Sequence, residues 1–229
     1  MTFKQLKTKI RKFIGYVGVG EFVKDPVDFN SQKSWEQLYA NPNFLKQYVS
    51  KERLAFYMEL FDTLNKNKVF NEAQNVLDVG CGTGHFLSIV SKSYPQIRLL
   101  GADFSEEGLQ VAQGIVPNAT FTKDDVMIPN TEWREKFDVV CCFEVLEHLL
   151  NPEEALRNLM NYVKLKGYLV LGVPNGRLDT YEGHIQFWSP ESWEVFLRRN
   201  LSEISLSHFQ TFQIENNKTN LAIIRNNKR

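Results

Sequence analysis

The chain has 229 residues, 43% hydrophobic and 24% charged, which is the balance of a globular protein with a full core and excludes a disordered chain. Lysine plus arginine and aspartate plus glutamate each number 27, so there is no chain-wide basic field for nucleic acid: DNA is not expected as a partner, and RNA would need a local patch. Three cysteines, two of them adjacent (Cys141, Cys142), make neither a disulfide framework nor a zinc-finger spacing; with no apolar run of the ~18 residues that cross a bilayer and no signal-peptide pattern, the expected location is cytoplasmic.

In chain order, Phe3, Leu6, Ile10, Phe13, Ile14 and Val17 recur at helical spacing among basic residues. This describes a basic amphipathic helix, read as a lid packed on the main domain or as a peripheral membrane contact through residues 3–17. Residues 31–66 read as two helices. Ser31 or Ser34 caps the first, Asn41-Pro42 breaks it, and the second covers about 43–66. We therefore expect an N-terminal helical lid over 1–70 and a second unit over 71–229. From residue 75 the pattern alternates. Strands are expected over 75–79, 97–102, 119–122, 137–143 and 168–173, and helices over 84–93, 105–113, 152–163 and 190–199. Two last strands, about 203–213 and 219–225, have no helix between them. The alternation predicts an α/β fold with a doubly wound, mostly parallel seven-stranded sheet, and the closing pair predicts an antiparallel hairpin at one edge.

The most informative stretch runs Val76-Leu77-Asp78-Val79-Gly80-Cys81-Gly82-Thr83-Gly84-His85-Phe86. A strand leads into glycines at 80, 82 and 84 and then a helix. Alternate glycines let backbone turn tightly and approach a ligand with no Cβ in the way. The G-x-G-x-G spacing differs from the dinucleotide fingerprint, and the Gly-Lys-Ser/Thr of a phosphate loop is absent. Asp78 would repel a pyrophosphate and suits a ligand carrying an ammonium group.

These residues resemble the class I S-adenosylmethionine-dependent methyltransferases, in which D-x-G-x-G-x-G follows the first strand. The resemblance covers about residues 75–200 and implies S-adenosylmethionine as cofactor, held by Asp78, Gly80, Cys81, Gly82 and Gly84. Gly101-Ala102-Asp103-Phe104-Ser105 is similar to the family's second strand end, which implies Asp103 on both ribose hydroxyls with Phe104 beside it. Lys123-Asp124-Asp125-Val126 is similar to the adenine-binding acid position; Asp124 and Asp125 both fit, Asp125 slightly better.

The second informative stretch is Phe143-Glu144-Val145-Leu146-Glu147-His148. If the turn after the strand is helical, Glu144, Glu147 and His148 share one face at the carboxyl end of the sheet. Two carboxylates and an imidazole there can bind a divalent cation or supply a general base. The segment resembles the E-V-L-E-H of ubiquinone-biosynthesis O-methyltransferases and is similar to the E-x-x-E-H of small-RNA 2′-O-methyltransferases, where two Glu and two His hold a metal. With His184 this implies Glu144, Glu147, His148 and His184 as a set for a cation such as magnesium, Glu144 also against the cofactor, and Glu144, His148 and His184 as catalytic candidates, His148 first as proton acceptor. His85 and His208 read as structural, and Cys141 and Cys142 as inert apolar thiols. Trp35, Tyr39, Phe44, Tyr48, Tyr181, Phe187 and Trp188 are expected around an acceptor pocket. The leading expectation is O-methylation of a small molecule, a quinone, phenol, sugar or similar. The alternatives are an RNA 2′-O-methyltransferase and a cofactor-binding protein without transfer activity.

Overall fold

The computed structural model describes residues 29–202 and 209–227. The helix expected over residues 3–17, the start of the penultimate strand and His208 lie outside the described residues. Among the described residues no helix is long and apolar enough to cross a membrane.

Three helices come first: α1 (Gln32–Tyr39), α2 (Pro42–Tyr48) and α3 (Lys51–Lys66). Ser31 caps α1 by accepting from the Ser34 amide, and Asn41 caps α2 ahead of Pro42. The single helix expected over 43–66 is two helices. Ser50 is extended, its side chain accepts from the Arg53 amide, and it restarts the helix as a new N-cap. The break turns both Tyr48 and Arg53 toward one cavity.

The rest is the alternation read from the sequence: β1 (Asn75–Val79), α4 (His85–Ser93), β2 (Arg98–Asp103), α5 (Glu106–Ile115), β3 (Thr120–Lys123), β4 (Phe137–Phe143), α6 (Pro152–Tyr162), β5 (Val163–Pro174), α7 (Pro190–Asn200), β6 (Phe209–Ile214) and β7 (Thr219–Arg225). The sheet has seven strands in the order β3-β2-β1-β4-β5-β7-β6. The first five are parallel; β7 pairs antiparallel with β5, and β6 with β7. β5 starts earlier than expected because α6 runs directly into it: Val163 pairs with Phe137, and a register shift precedes the pairing of Val139 with Tyr168. The exposed Lys164–Lys166 stretch and Gly167 hid that start in the sequence.

Strand residues of alternating parity feed two cores. Val76, Val139, Cys141, Phe143 and Val170 face Phe56, Leu60 and Leu64 of α3 and Phe86, Leu87 and Val90 of α4. Leu77, Val140, Cys142, Leu169 and Leu171 face Leu156 and Leu159 of α6 and Trp193 and Leu197 of α7. Strand order reverses between β1 and β4, and open sheets of this kind bind ligands in the crevice at that reversal, outside the carboxyl ends of the strands.

Candidate active site

The loop after β1 is built as its glycines require. Gly80, Gly82 and Gly84 have φ of +72°, +49° and +73°, where a side chain is strained. A Cβ on Gly80 would lie 2.2 Å from Val145 Cγ2, and one on Gly82 2.7 Å from the Tyr39 hydroxyl. Asp103, at the end of β2, ties the loop down. One carboxylate oxygen accepts from the Gly82 amide at 2.9 Å, the other from the Ser105 amide at 2.9 Å. Each oxygen keeps a lone pair for a further donor. Burial raises the Asp103 pKa to about 6, although the amide bonds pull it down. Asp78 is buried behind the loop and outside the lining of the two cavities; burial and Asp103 push its pKa well up.

Two cavities meet here. The smaller, ≈ 90 Å³, is lined by Asp103, Phe104, Asp124, Asp125 and Val126 at the ends of β2 and β3. In the adjacent acids the local bonds differ. Asp125 accepts from the Met127 amide in a tight turn. One Asp124 oxygen accepts from the Asn130 side chain, and its other oxygen is buried with no partner.

The larger cavity, ≈ 590 Å³, lies between the N-terminal helices and the sheet, over Gly80, Cys81 and Gly82. Its walls carry Trp35, Tyr39, Phe44, Tyr48 and Tyr57, with Tyr181 across from them. Phe187 and Trp188 are outside that lining: Phe187 is half exposed, and Trp188 packs on Trp193 in the core. The N-terminal helices are locked onto the sheet at two points. Glu36 accepts from the Ser105 hydroxyl at 2.6 Å and from the Glu106 and Glu107 amides at 2.9 and 3.0 Å, at the N-terminus of α5. One turn on, Tyr39 packs against Gly82 and Gly108. Sequence reading missed Glu36 and Arg53. Arg53 lies over the rings of Tyr48, Phe56 and Tyr57 and stands 3.7 Å from Glu144.

The single helical face expected for Glu144, Glu147 and His148 does not form. Glu144 is left-handed, with φ +57°, and only Leu146–His148 makes a 3₁₀ turn. The reversal sends Glu144 to Arg53 and drops Glu147 into the interior. Burial raises the Glu144 pKa to about 7 against the pull of Arg53, and pushes Glu147 higher still, with Glu144 adding repulsion. Both Glu147 oxygens are buried without a partner. His184 arrives from the long β5–α7 connection, which is pinned to the turn because the Ile185 and Gln186 amides both donate to the Glu147 carbonyl. The Nε2 atoms of His148 and His184 each lie 3.9 Å from Glu147 Oε1, and the two rings are 4.7 Å apart. Burial lowers the His148 pKa to about 3, with His184 adding to the shift. Among the described residues, Glu147, His148 and His184 bring potential metal-ligand atoms within 4.8 Å of one another, and Glu144 is outside that group.

His85 has a structural setting, bonded to the Thr83 hydroxyl at 2.8 Å and stacked on Tyr57. Cys141 and Cys142 are buried in β4, and burial pushes their thiols well up.

The "Methyltransferase domain" family model matches residues 46–205. The chain belongs to the methyltransferase-domain family. It is 34% identical over 116 residues to the ubiquinone biosynthesis O-methyltransferase of Shewanella pealeana, covering 47% of each chain. It is 31% identical over 145 residues to the malonyl-[acyl-carrier protein] O-methyltransferase of Halalkalibacterium halodurans, covering 61% of this chain and 53% of that one. The chain thus spans about half the length of the curated relatives it matches. Its fold is similar to that of an O-methyltransferase family protein from Burkholderia thailandensis, with TM-score 0.68, 14% identity and coverage of 97% of this chain and 71% of that one. It is also similar to the plantazolicin methyltransferase BpumL in complex with SAH, with TM-score 0.64, 16% identity and coverage of 88% and 97%.

Proposed function

We propose that this protein transfers a methyl group from S-adenosylmethionine to a hydroxyl of a small-molecule acceptor. One observation carries the reading: the two cavities share Trp35, Tyr39, Gly80, Glu144 and His148, so a donor crevice opens directly into a larger aromatic chamber. In this reading Gly80, Cys81, Gly82 and Gly84 let the methionine part approach the backbone. Asp103 offers its remaining lone pairs to the ribose hydroxyls. Phe104 and Val126 flank the adenine, and Asp124 takes its amino group, because Asp124 rather than Asp125 holds an unused buried acceptor. Asp78, buried behind the loop with its pKa pushed well up, supports the loop from outside the two cavities. Arg53, the one guanidinium in the chamber lining, is the counter-charge available to the methionine carboxylate.

The acceptor is then held in line with the sulfonium methyl, where positioning supplies much of the rate. Its hydroxyl proton goes to an imidazole at the chamber floor. Burial lowers the pKa of both imidazoles; Asp179 opposes that shift at His184 and no carboxylate among the described residues does so at His148, which makes His184 the better base. Glu147, His148 and His184 also bring together one carboxylate and two imidazoles, a donor set that fits a divalent cation accepting nitrogen ligands, such as zinc or iron, better than the magnesium expected from the sequence. Bound there, the ion would lower the pKa of the acceptor hydroxyl.

Charge favours a small molecule over RNA. The lining carries Glu52 and Glu215 beside the buried Glu144 and Glu147, whose pKa values burial raises, and its one basic group is Arg53, so it offers no basic track for a phosphate chain. The relatives named above, an O-methyltransferase of ubiquinone biosynthesis and one of malonyl-acyl carrier protein, add support for oxygen as the acceptor atom.

The test is transfer of labelled methyl from S-adenosylmethionine into cell-extract fractions, each with magnesium or with EDTA. Label in the lipid-soluble or small polar fraction is expected, and loss with EDTA would establish the cation. Label in RNA would overturn the acceptor class. No label in any fraction, with cofactor binding intact, would favour a binding protein without transfer.

A further inference from the structure

We infer that Asp179 is the positioning residue of the site: it fixes the tautomer and orientation of His184, so that Nδ1 carries the proton and Nε2 presents a bare lone pair to the chamber. The inference rests on the proposed transfer only for its effect on rate.

The geometry is specific. His184 Nδ1 lies 2.5 Å from Asp179 Oδ2, and both side chains are about nine-tenths buried, at 10% and 9% exposure. A carboxylate is acceptor-only when ionised, so the bond requires the proton on Nδ1. The opposite nitrogen, Nε2, is the atom 3.9 Å from Glu147 Oε1. That places the lone pair on the side shared with His148 and the chamber, where a proton acceptor or a metal ligand would need it.

Asp179 is itself held. Its other oxygen accepts from the Tyr181 amide at 3.0 Å, and its own amide donates to the Asn175 carbonyl at 3.0 Å. Asn175 is buried and donates from its amide and side chain to the Lys218 and Asn217 carbonyls. The His184 amide donates to the Tyr181 carbonyl. The carboxylate and the imidazole are therefore two ends of one short turn, anchored to the β6–β7 hairpin on one side and to the Glu147 carbonyl on the other. A merely structural loop acid would not need to aim an oxygen at a ring whose second nitrogen opens on the site.

The chain has four histidines, so protein labelled with ¹⁵N-histidine gives a short list of imidazole signals. Long-range proton–nitrogen correlation separates the two tautomers, and His184→Gln assigns the signal, all in EDTA. We expect His184 in the Nδ1–H form in the unaltered protein. Asp179→Asn should abolish that preference and Asp179→Glu should restore part of it, with folding checked by the thermal transition. In methyl transfer Asp179→Asn should lower kcat about 10- to 100-fold, the usual effect of removing a carboxylate behind a working histidine, while KM for S-adenosylmethionine stays put. An Nε2–H form in the unaltered protein overturns the inference without any variant, as does an unchanged tautomer in folded Asp179→Asn. If the tautomer responds as expected but no acceptor is methylated, the positioning role stands and the transfer reading falls.

Discussion

Glu36 offers the sharpest quantitative test of how the N-terminal helices are held. Its carboxylate, on α1, accepts three hydrogen bonds at the start of α5 from Ser105, Glu106 and Glu107. Burial alone would raise its pKa, but those bonds outweigh it and hold the group at about 2, against an ordinary 4.5. Taken at face value, a shift of that size is worth roughly 3 kcal/mol, at 1.36 kcal/mol per pK unit. The carboxylate is only partly covered, so solvent screening cuts this; a helix N-terminus with charge-assisted bonds supports about 1–2 kcal/mol. Glu36→Gln keeps the size and removes the charge. The sign follows from the depressed pKa: the unaltered protein gains from Glu36 above about pH 4.5, and the gain fades as pH falls toward 2. Thermal unfolding at neutral pH should show the variant lower by about 2–8 °C, the range expected for a chain of this length. In urea titrations the gap between the two proteins should narrow by about half on acidification to about pH 3. A gap that is absent at neutral pH, or that is the same at both, would refute the latch. A second readout is weaker S-adenosylmethionine binding in the variant, because Tyr39, one turn along α1, packs on Gly82.

Glu147→Gln should leave the melting temperature unchanged or raised, since it removes a buried carboxylate with no partners, while methyl transfer falls at least about 100-fold; a large stability loss with transfer intact would show that the acid is structural. Gly82→Ala should cost about 1–3 kcal/mol in urea titrations, because φ is +49° and the new Cβ meets the Tyr39 hydroxyl; adding Tyr39→Phe should recover part of that loss, and no loss would contradict the described loop. Cys141 and Cys142 should resist a thiol reagent in the folded protein and react on unfolding, because burial in β4 keeps them protonated and out of reach; fast reaction of either in the native state would contradict the strand's placement.

What could be read from the sequence was what is local along the chain. β1 and β4 are short, mostly apolar runs broken only by Asp78 and Asp138, and their bounds were legible from that near-continuous hydrophobicity. The three glycines announced a turn that only glycine tolerates. Ser31, an alternative to Ser34 in the sequence, and Ser105 announced helix starts through their side-chain oxygens, while Asn41, read as a break, proved to cap the next helix. Ser50 carried the same signal inside a helical pattern, and the apolar spacing on either side outweighed it, so α2 and α3 were read as one. The turn after β4 failed for a different reason. Nothing in Glu144-Val145 signals a left-handed residue; that conformation comes from tertiary packing, with the Glu144 amide bonded to the Gly172 carbonyl and Val145 wedged against Gly80.

The two halves of the crevice differ in the same way, and the difference has a physical cause. The donor half uses strand ends, where residues adjacent in sequence leave the sheet together, so Gly80–Gly84 and Asp103–Ser105 carry their geometry with them. The acceptor half is assembled from separated pieces: Trp35 to Tyr57, Glu144 to His148, Asp179 to His184, and Glu215 on the hairpin. Spacing along the chain cannot encode such a meeting. It is set by bonds such as those from the Ile185 and Gln186 amides to the Glu147 carbonyl. Those bonds hold two imidazoles and a partnerless carboxylate in the interior, at a desolvation cost of several kcal/mol for a bare ionised group. An apolar side chain at Glu147 would avoid that cost, so the cluster it forms with His148 and His184 beside both cavities is explained by the proposed chemistry and not by stability.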